Sequence, residues 1–145
     1  MAEKPFVILL AEDNEHDIEA TKRVWRKQTI ANPLYIVNDG EECLDYLFRR
    51  GKYSDPDVAP LPGLLLLDLK MPKIGGLAVL EKIRADEQLQ RLPVVVITTS
   101  QLQIDKTRCY NLGISAYIRK PNGFQQFTQM IQALHQFWQF VELPW

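Results

Sequence analysis

A chain of 145 residues, 46% of them hydrophobic, is long enough to bury the core of one domain of ordinary size, so a single domain over 1–145 is expected. Its 17 basic and 18 acidic side chains leave a net charge of −1, which excludes a whole-molecule field for nucleic acid, an anionic membrane or a polyanionic substrate. Any charge chemistry must be local.

Cys43 and Cys109 stand apart with no CxxC and no zinc-type spacing, and read as reduced structural thiols. His16 and His135 lie far apart and read as surface or core-edge residues. Met1 to Pro5 runs into an apolar stretch, Phe6 to Ala11, too short for a secretory signal, and no run approaches a membrane span. A cytoplasmic protein with no membrane or nucleic-acid partner is expected.

Along the chain, five short apolar runs alternate with helical periodicity. Strands are predicted at Phe6 to Ala11, Leu34 to Val37, Leu64 to Leu67, Val94 to Thr98 and Ile114 to Ile118. Several are continuously apolar, as parallel strands are when helices cover both faces, so the third, first and fourth are expected to be interior. Between them, apolar positions near a 3.6 period predict helices over Asp17 to Gln28, Glu41 to Arg50, Gly76 to Ala85 and about Ile104 to Leu112. Lys52 to Pro62 is the longest connection and reads as a surface loop, and Gly51, Pro60, Pro62, Gly63, Pro72, Pro93 and Gly113 all fall between elements. This alternation predicts right-handed crossovers and an α/β doubly wound, five-stranded parallel sheet.

In such sheets ligands sit beyond the carboxyl ends of the strands. Those ends read Glu12-Asp13-Asn14, Asp68-Leu69-Lys70-Met71-Pro72, Thr98-Thr99-Ser100 and Arg119-Lys120-Pro121. Each has a plain structural reading: Asp13 or Asn14 as a helix cap, Asp68 as a turn residue, Thr98 as a β-former, Lys120 as a solvated cation. Independent structural roles do not account for their joint position. Two like charges about 4 Å apart repel by about 4 kcal/mol at an effective dielectric of about 20, so three gathered carboxylates need a cation among them. A hard ion with oxygen ligands meets that need, and Mg²⁺ suits carboxylates completed by phosphate oxygens and waters.

The segments LLAEDNEHD, LLLLDLKMPKIGG, VVVITTS and GISAYIRKP, in this order, resemble the receiver domains of two-component response regulators from about Phe6 to His135. The resemblance implies the flavodoxin-like receiver fold with strand order 2-1-3-4-5, and a phospho-acceptor at Asp68 charged by a histidine kinase. It implies that Asp13 binds Mg²⁺ directly, with Glu12 in the same cluster and the backbone carbonyl of Lys70 completing the protein ligands. Thr98 matches the hydroxyl that turns toward the phosphoryl group, Lys120 the ammonium that pairs with it, and Tyr117 the aromatic that swings inward. The Lys120–Pro121 bond matches one usually cis in the family. Such a protein is a signalling acceptor assisting only its own Mg²⁺-dependent phosphorylation and dephosphorylation. The chemistry asks for positioning and charge neutralisation, and the acyl phosphate gives Thr98 and Lys120 a partner that the resting state lacks.

Thr99 stands where many receivers carry a smaller residue, so its bulk is expected to slow the attacking water and prolong the phosphorylated state. No output module is read after the receiver. The last helix is expected to run on through a C-terminal extension at 136–145, with Phe124, Phe127, Ile131, Leu134, Trp138 and Val141 on one stripe and Met130, Ala133, Phe137 and Phe140 on another. Either these residues wrap the monomer, or Met130, Phe137, Trp138, Phe140, Val141 and Leu143 form a symmetric homodimer. The tail FWQFVELPW and the TTS motif look like short response regulators paired with cyanobacterial phytochrome kinases, which implies a phytochrome-type partner and a dimer.

Rival readings are weaker. A haloacid-dehalogenase-type phosphatase expects an acid two residues after the nucleophile, where Lys70 stands. An organic-cofactor binder of flavodoxin type lacks its phosphate loop after the first strand. A degenerate receiver acting as an unphosphorylated scaffold stays open.

Overall fold

The computed structural model describes residues 4–145; the first three, part of the N-terminal reading and of the expected domain, lie outside the described residues. The elements alternate as the apolar runs dictate: β1 (Ile8–Ala11), α1 (Glu15–Lys27), β2 (Leu34–Val37), α2 (Gly40–Leu47), β3 (Leu64–Leu67), α3 (Gly76–Ala85), β4 (Val94–Thr98), α4 (Gln103–Asn111), β5 (Ala116–Arg119) and α5 (Phe124–Trp138). All strand pairs are parallel, in the order β2-β1-β3-β4-β5. The interior strands β1, β3 and β4 are buried throughout, because alternate side chains feed two different cores. Leu9, Leu65, Leu67, Val94 and Val96 face α2, α3 and α4, whereas Ile8, Leu10, Leu66, Val95 and Ile97 face α1 and α5.

Several boundaries differ from the sequence reading. The fifth strand begins at Ala116 rather than Ile114, because Gly113 (φ 74°) turns the chain out of α4 and the buried Ile114 plugs that turn. The predicted second helix stops at Leu47, and a 3₁₀ turn follows at Gly51–Tyr53. The loop before β3 is anchored rather than purely superficial: Ala59 is buried, and the Tyr46 hydroxyl donates to the Pro60 carbonyl (2.7 Å). No peptide bond among the described residues is cis, so Lys120–Pro121 is trans, the isomer that even X–Pro bonds prefer.

The last helix ends at Trp138, not near Val141. Trp138 is also not a surface residue. It is 4% exposed, its ring lies 5.6 Å from that of Trp25, and its indole N–H donates to Asn32 Oδ1 (3.1 Å). Asn32 in turn accepts from the Trp25 indole at its carbonyl and donates to the Phe6 carbonyl, so one buried amide ties α1, α5 and the entry to β1. Trp138 therefore leaves the set of dimer candidates. Phe137 and Phe140 are exposed, at 69% and 86%, with Val141 at 36%; Met130 is half-buried, and Leu143 folds back against Phe6 and Gly63.

Helix α4 is the least embedded. Cys109 is its only buried residue, and Leu102 and Ile104 at its start are exposed. Its far end is held by Arg84, whose guanidinium donates to the carbonyls of Gln90, Leu92, Leu112 and Gly113 at 2.6–3.1 Å.

Candidate functional site

The register brings the acids together. Ala11 pairs with both Val37 and Leu67, and one residue further on the ladder continues: Glu12 N–H donates to Val37 O (3.0 Å), and Asp68 N–H to Ala11 O (3.1 Å). On the other side Lys120 N–H donates to Thr98 O (2.8 Å), extending the β4–β5 pairing to the lysine. Close backbone packing keeps the acceptor loop tight. A Cβ at Gly76 would lie 2.4 Å from the Asp68 carbonyl oxygen, and one at Gly40 would lie 1.8 Å from that of Ile74, so only glycine lets α3 and α2 start where they do.

At the centre is the Lys120 ammonium, 2.6 Å from Glu12 Oε1, 2.8 Å from Asp17 Oδ2 and 3.0 Å from Asp68 Oδ2. Lys120, Glu12 and Asp68 are nearly buried; Asp17 keeps 24% of its side chain in solvent. Asn14, not Asp13, caps α1, its Oδ1 accepting from Asp17 N–H (3.0 Å), which leaves the exposed Asp13 carboxylate unused by the helix. Glu12 Oε2 accepts from the backbone N–H of Asp13 and Asn14. Asp68 Oδ1 accepts from Lys70 N–H (3.1 Å), so both oxygens of that carboxylate are engaged.

Burial, then the charge of Asp68, push the Glu12 carboxyl up to about 7, against the lowering effect of Lys120. Burial alone would lower the Lys120 pKa, but hydrogen bonds to Asp17 and Glu12 and the charges of Glu12 and Asp68 hold it above its ordinary range. The sequence argument required a cation among the acids and assigned that place to a metal ion; in the structure Lys120 takes it. A candidate metal site coexists. One carboxylate oxygen from each of Glu12, Asp13 and Asp68 lies within 4.8 Å of the others, an all-oxygen donor set that fits a hard divalent cation.

Thr98 is fully buried, and its Oγ1 accepts from Ser100 N–H (3.2 Å). Ser100 links three elements: its hydroxyl donates to Asp105 Oδ2 at the start of α4 (2.7 Å), and its carbonyl accepts from the Tyr117 hydroxyl of β5 (3.2 Å). Thr98 and Tyr117 are thus two bonds apart through one serine. Thr99, beside it, is exposed. The structure brings Glu12, Asp13, Asp68, Thr98 and Lys120 to one edge, with Tyr117 joined through Ser100. The sequence reading missed Asp17 and Ser100. Asp17 closes the LLAEDNEHD segment one helical turn after Asp13, a spacing that returns a side chain to the same end of the sheet. Ser100 stood in the sequence only as the last hydroxyl of Thr98-Thr99-Ser100, with no role of its own.

The chain matches the model for the response regulator receiver domain over residues 8–132. It is 37% identical over 141 residues to the response regulator Rcp1 of Synechocystis, covering 97% of this chain and 94% of that one. Among solved structures, the phosphorylated cyanobacterial phytochrome response regulator RcpA superposes with a TM-score of 0.89 at 35% identity, over 97% of this chain and 99% of its own. The Mn²⁺-bound form of Rcp1 superposes equally well, at 0.89 and 37% identity, over 97% and 100%. With a family match over most of its length and relatives alike in sequence and in fold, the chain belongs to the response regulator receiver domain family.

Proposed function

We propose that this protein is a single-domain response regulator that accepts a phosphoryl group on Asp68 from the phosphohistidine of a sensor kinase. The observation that carries the reading is a buried carboxylate whose two oxygens are fixed by Lys70 N–H and Lys120 Nζ, beside a set of oxygen ligands for a divalent cation. An Asp68 oxygen forms the new O–P bond as the N–P bond of the phosphohistidine breaks, and the imidazole leaves with the electron pair. Mg²⁺ bound by Glu12, Asp13, Asp68 and the Lys70 carbonyl would neutralise charge on the transferred group. Lys120 supplies the second cation, and Thr98 a hydroxyl whose turning toward the phosphoryl group releases Ser100 N–H and loosens the bonds to Asp105 and Tyr117.

The likeness to RcpA, a phytochrome response regulator, supports a phytochrome-type histidine kinase as donor. No helix among the described residues is long and apolar enough to cross a membrane. A second copy of the chain is the proposed partner of the exposed Phe137, Phe140 and Val141, with Met130 and Leu143 at the margin of that patch. Incubation with phosphoramidate and Mg²⁺, followed by intact mass, tests the core of the reading. One added phosphoryl group in wild type, absent in Asp68→Asn, is expected; equal labelling of both would defeat it.

A further inference from the structure

An ammonium has three N–H donors, and in this structure all three of Lys120 are taken, by Glu12, Asp17 and Asp68. A phosphoryl oxygen arriving at Asp68 must therefore displace one of them. Glu12 and Asp68 are held on the sheet edge, at 5% and 6% side-chain exposure, and losing the lysine would leave either buried. Asp17 differs. It comes from the first turn of α1, where water already reaches its carboxylate and can replace the lysine.

We propose that Asp17 is a positioning residue that parks one N–H of Lys120 in the resting state and yields it to the phosphoryl group. This rests on the phosphoryl-transfer reading above and adds a residue to it. Asp17 is a competitor for the ammonium once a phosphoryl oxygen is present, and opposes anion binding. Toward a divalent cation it acts the other way: when the ion draws on the oxygens of Glu12 and Asp68, Asp17 gives the displaced ammonium another partner.

Beryllofluoride with saturating Mg²⁺, followed by ¹⁹F NMR, measures the first effect, and calorimetric titration with Mg²⁺ alone the second. Asp17→Asn is expected to bind beryllofluoride about tenfold more tightly and Mg²⁺ alone about threefold more weakly, as fits one partly screened charge-assisted bond. Glu19→Gln, the same charge change on an exposed position of the same helix, is expected within about twofold of wild type. In a Lys120→Met background Asp17→Asn should change neither affinity beyond about twofold. The proposal is overturned if Asp17→Asn matches wild type, if its effect persists without Lys120, or if Glu19→Gln shares it. Should Lys120→Met not fold, the comparison with Glu19→Gln decides. Wild type that binds Mg²⁺ but never beryllofluoride would defeat the phosphoryl reading instead, and the Mg²⁺ titrations alone would then judge Asp17.

Discussion

Replacing Lys120 with methionine keeps most of the side-chain volume and removes the cation around which three carboxylates are arranged. Its nitrogen sits 2.6–3.0 Å from oxygens of Glu12, Asp17 and Asp68, and its side chain is 8% exposed. Breaking a buried ion pair from one side costs about 3–5 kcal/mol, because the partner charge is left uncompensated. Asp17 contributes little to that sum, since solvent screens it. A domain with about 5–15 kcal/mol in total would lose about a fifth of its stability at the least, and more if it is marginal.

The pH dependence has a definite sign. Glu12 titrates near 7 in the folded protein against 4.5 as its ordinary value, so the folded state binds the proton more tightly and stability falls as pH rises between those values. Without the lysine the carboxyl is pushed higher still, so the penalty of Lys120→Met is largest at pH 8 and shrinks toward pH 5. Urea unfolding followed by circular dichroism at both pH values, with and without MgCl₂, measures this. Mg²⁺ should restore more stability to the variant than it adds to wild type, being an alternative cation for the same oxygens. A loss below about 1 kcal/mol at pH 8, or one indifferent to both pH and Mg²⁺, would refute the electrostatic reasoning.

Trp138→Ala should destabilise the fold by about 3–5 kcal/mol in thermal or urea unfolding, as removal of a buried aromatic does. Phe140→Ser should instead leave the unfolding midpoint of the monomer unchanged and lower self-association in sedimentation velocity, if a second copy covers that patch. Burial pushes the Cys43 and Cys109 thiols up to about 12 and about 11, so a disulfide reagent at pH 8 should label neither until the chain unfolds. The same shifts, from an ordinary value of 9.0, make stability fall as pH climbs above about 9, by up to about 1.4 kcal/mol per thiol per pH unit. Thr99→Ala should speed loss of the phosphoryl group, measured by intact mass against time; an unchanged rate would remove the steric role of that methyl-bearing side chain.

The sheet was legible because a strand buried on both faces has little choice of composition: LLLL and VVVIT can hardly be anything else between breakers. The acidic edge was legible for a different reason, since charged residues directly after such strands have no core to enter. Where the reading failed, the deciding contact was distant in sequence. The 3-and-4 spacing that continues to Trp138 says that a stripe is apolar, not where its cover ends, and the answer lay in the amide of Asn32. Lys120 was read as facing the phosphoryl group rather than as the resting counter-ion of Asp17, whose pairing spans 103 positions. Ser100 escaped because its role depends on one hydroxyl and one carbonyl reaching different elements.

The unequal fastening of the two ends of α4 bears on how it can move. Arg84 grips carbonyls around its carboxyl terminus, and Cys109 is its only buried residue. The opposite end hangs from the hydroxyl of Ser100. With four carbonyl bonds at one end against one hydroxyl at the other, a tilt about the guanidinium breaks fewer contacts than a slide. Nine residues make an arm of about 13 Å, so a tilt of only about 10° carries Leu102 and Ile104 through about 2 Å while the region of Leu112 stays in place.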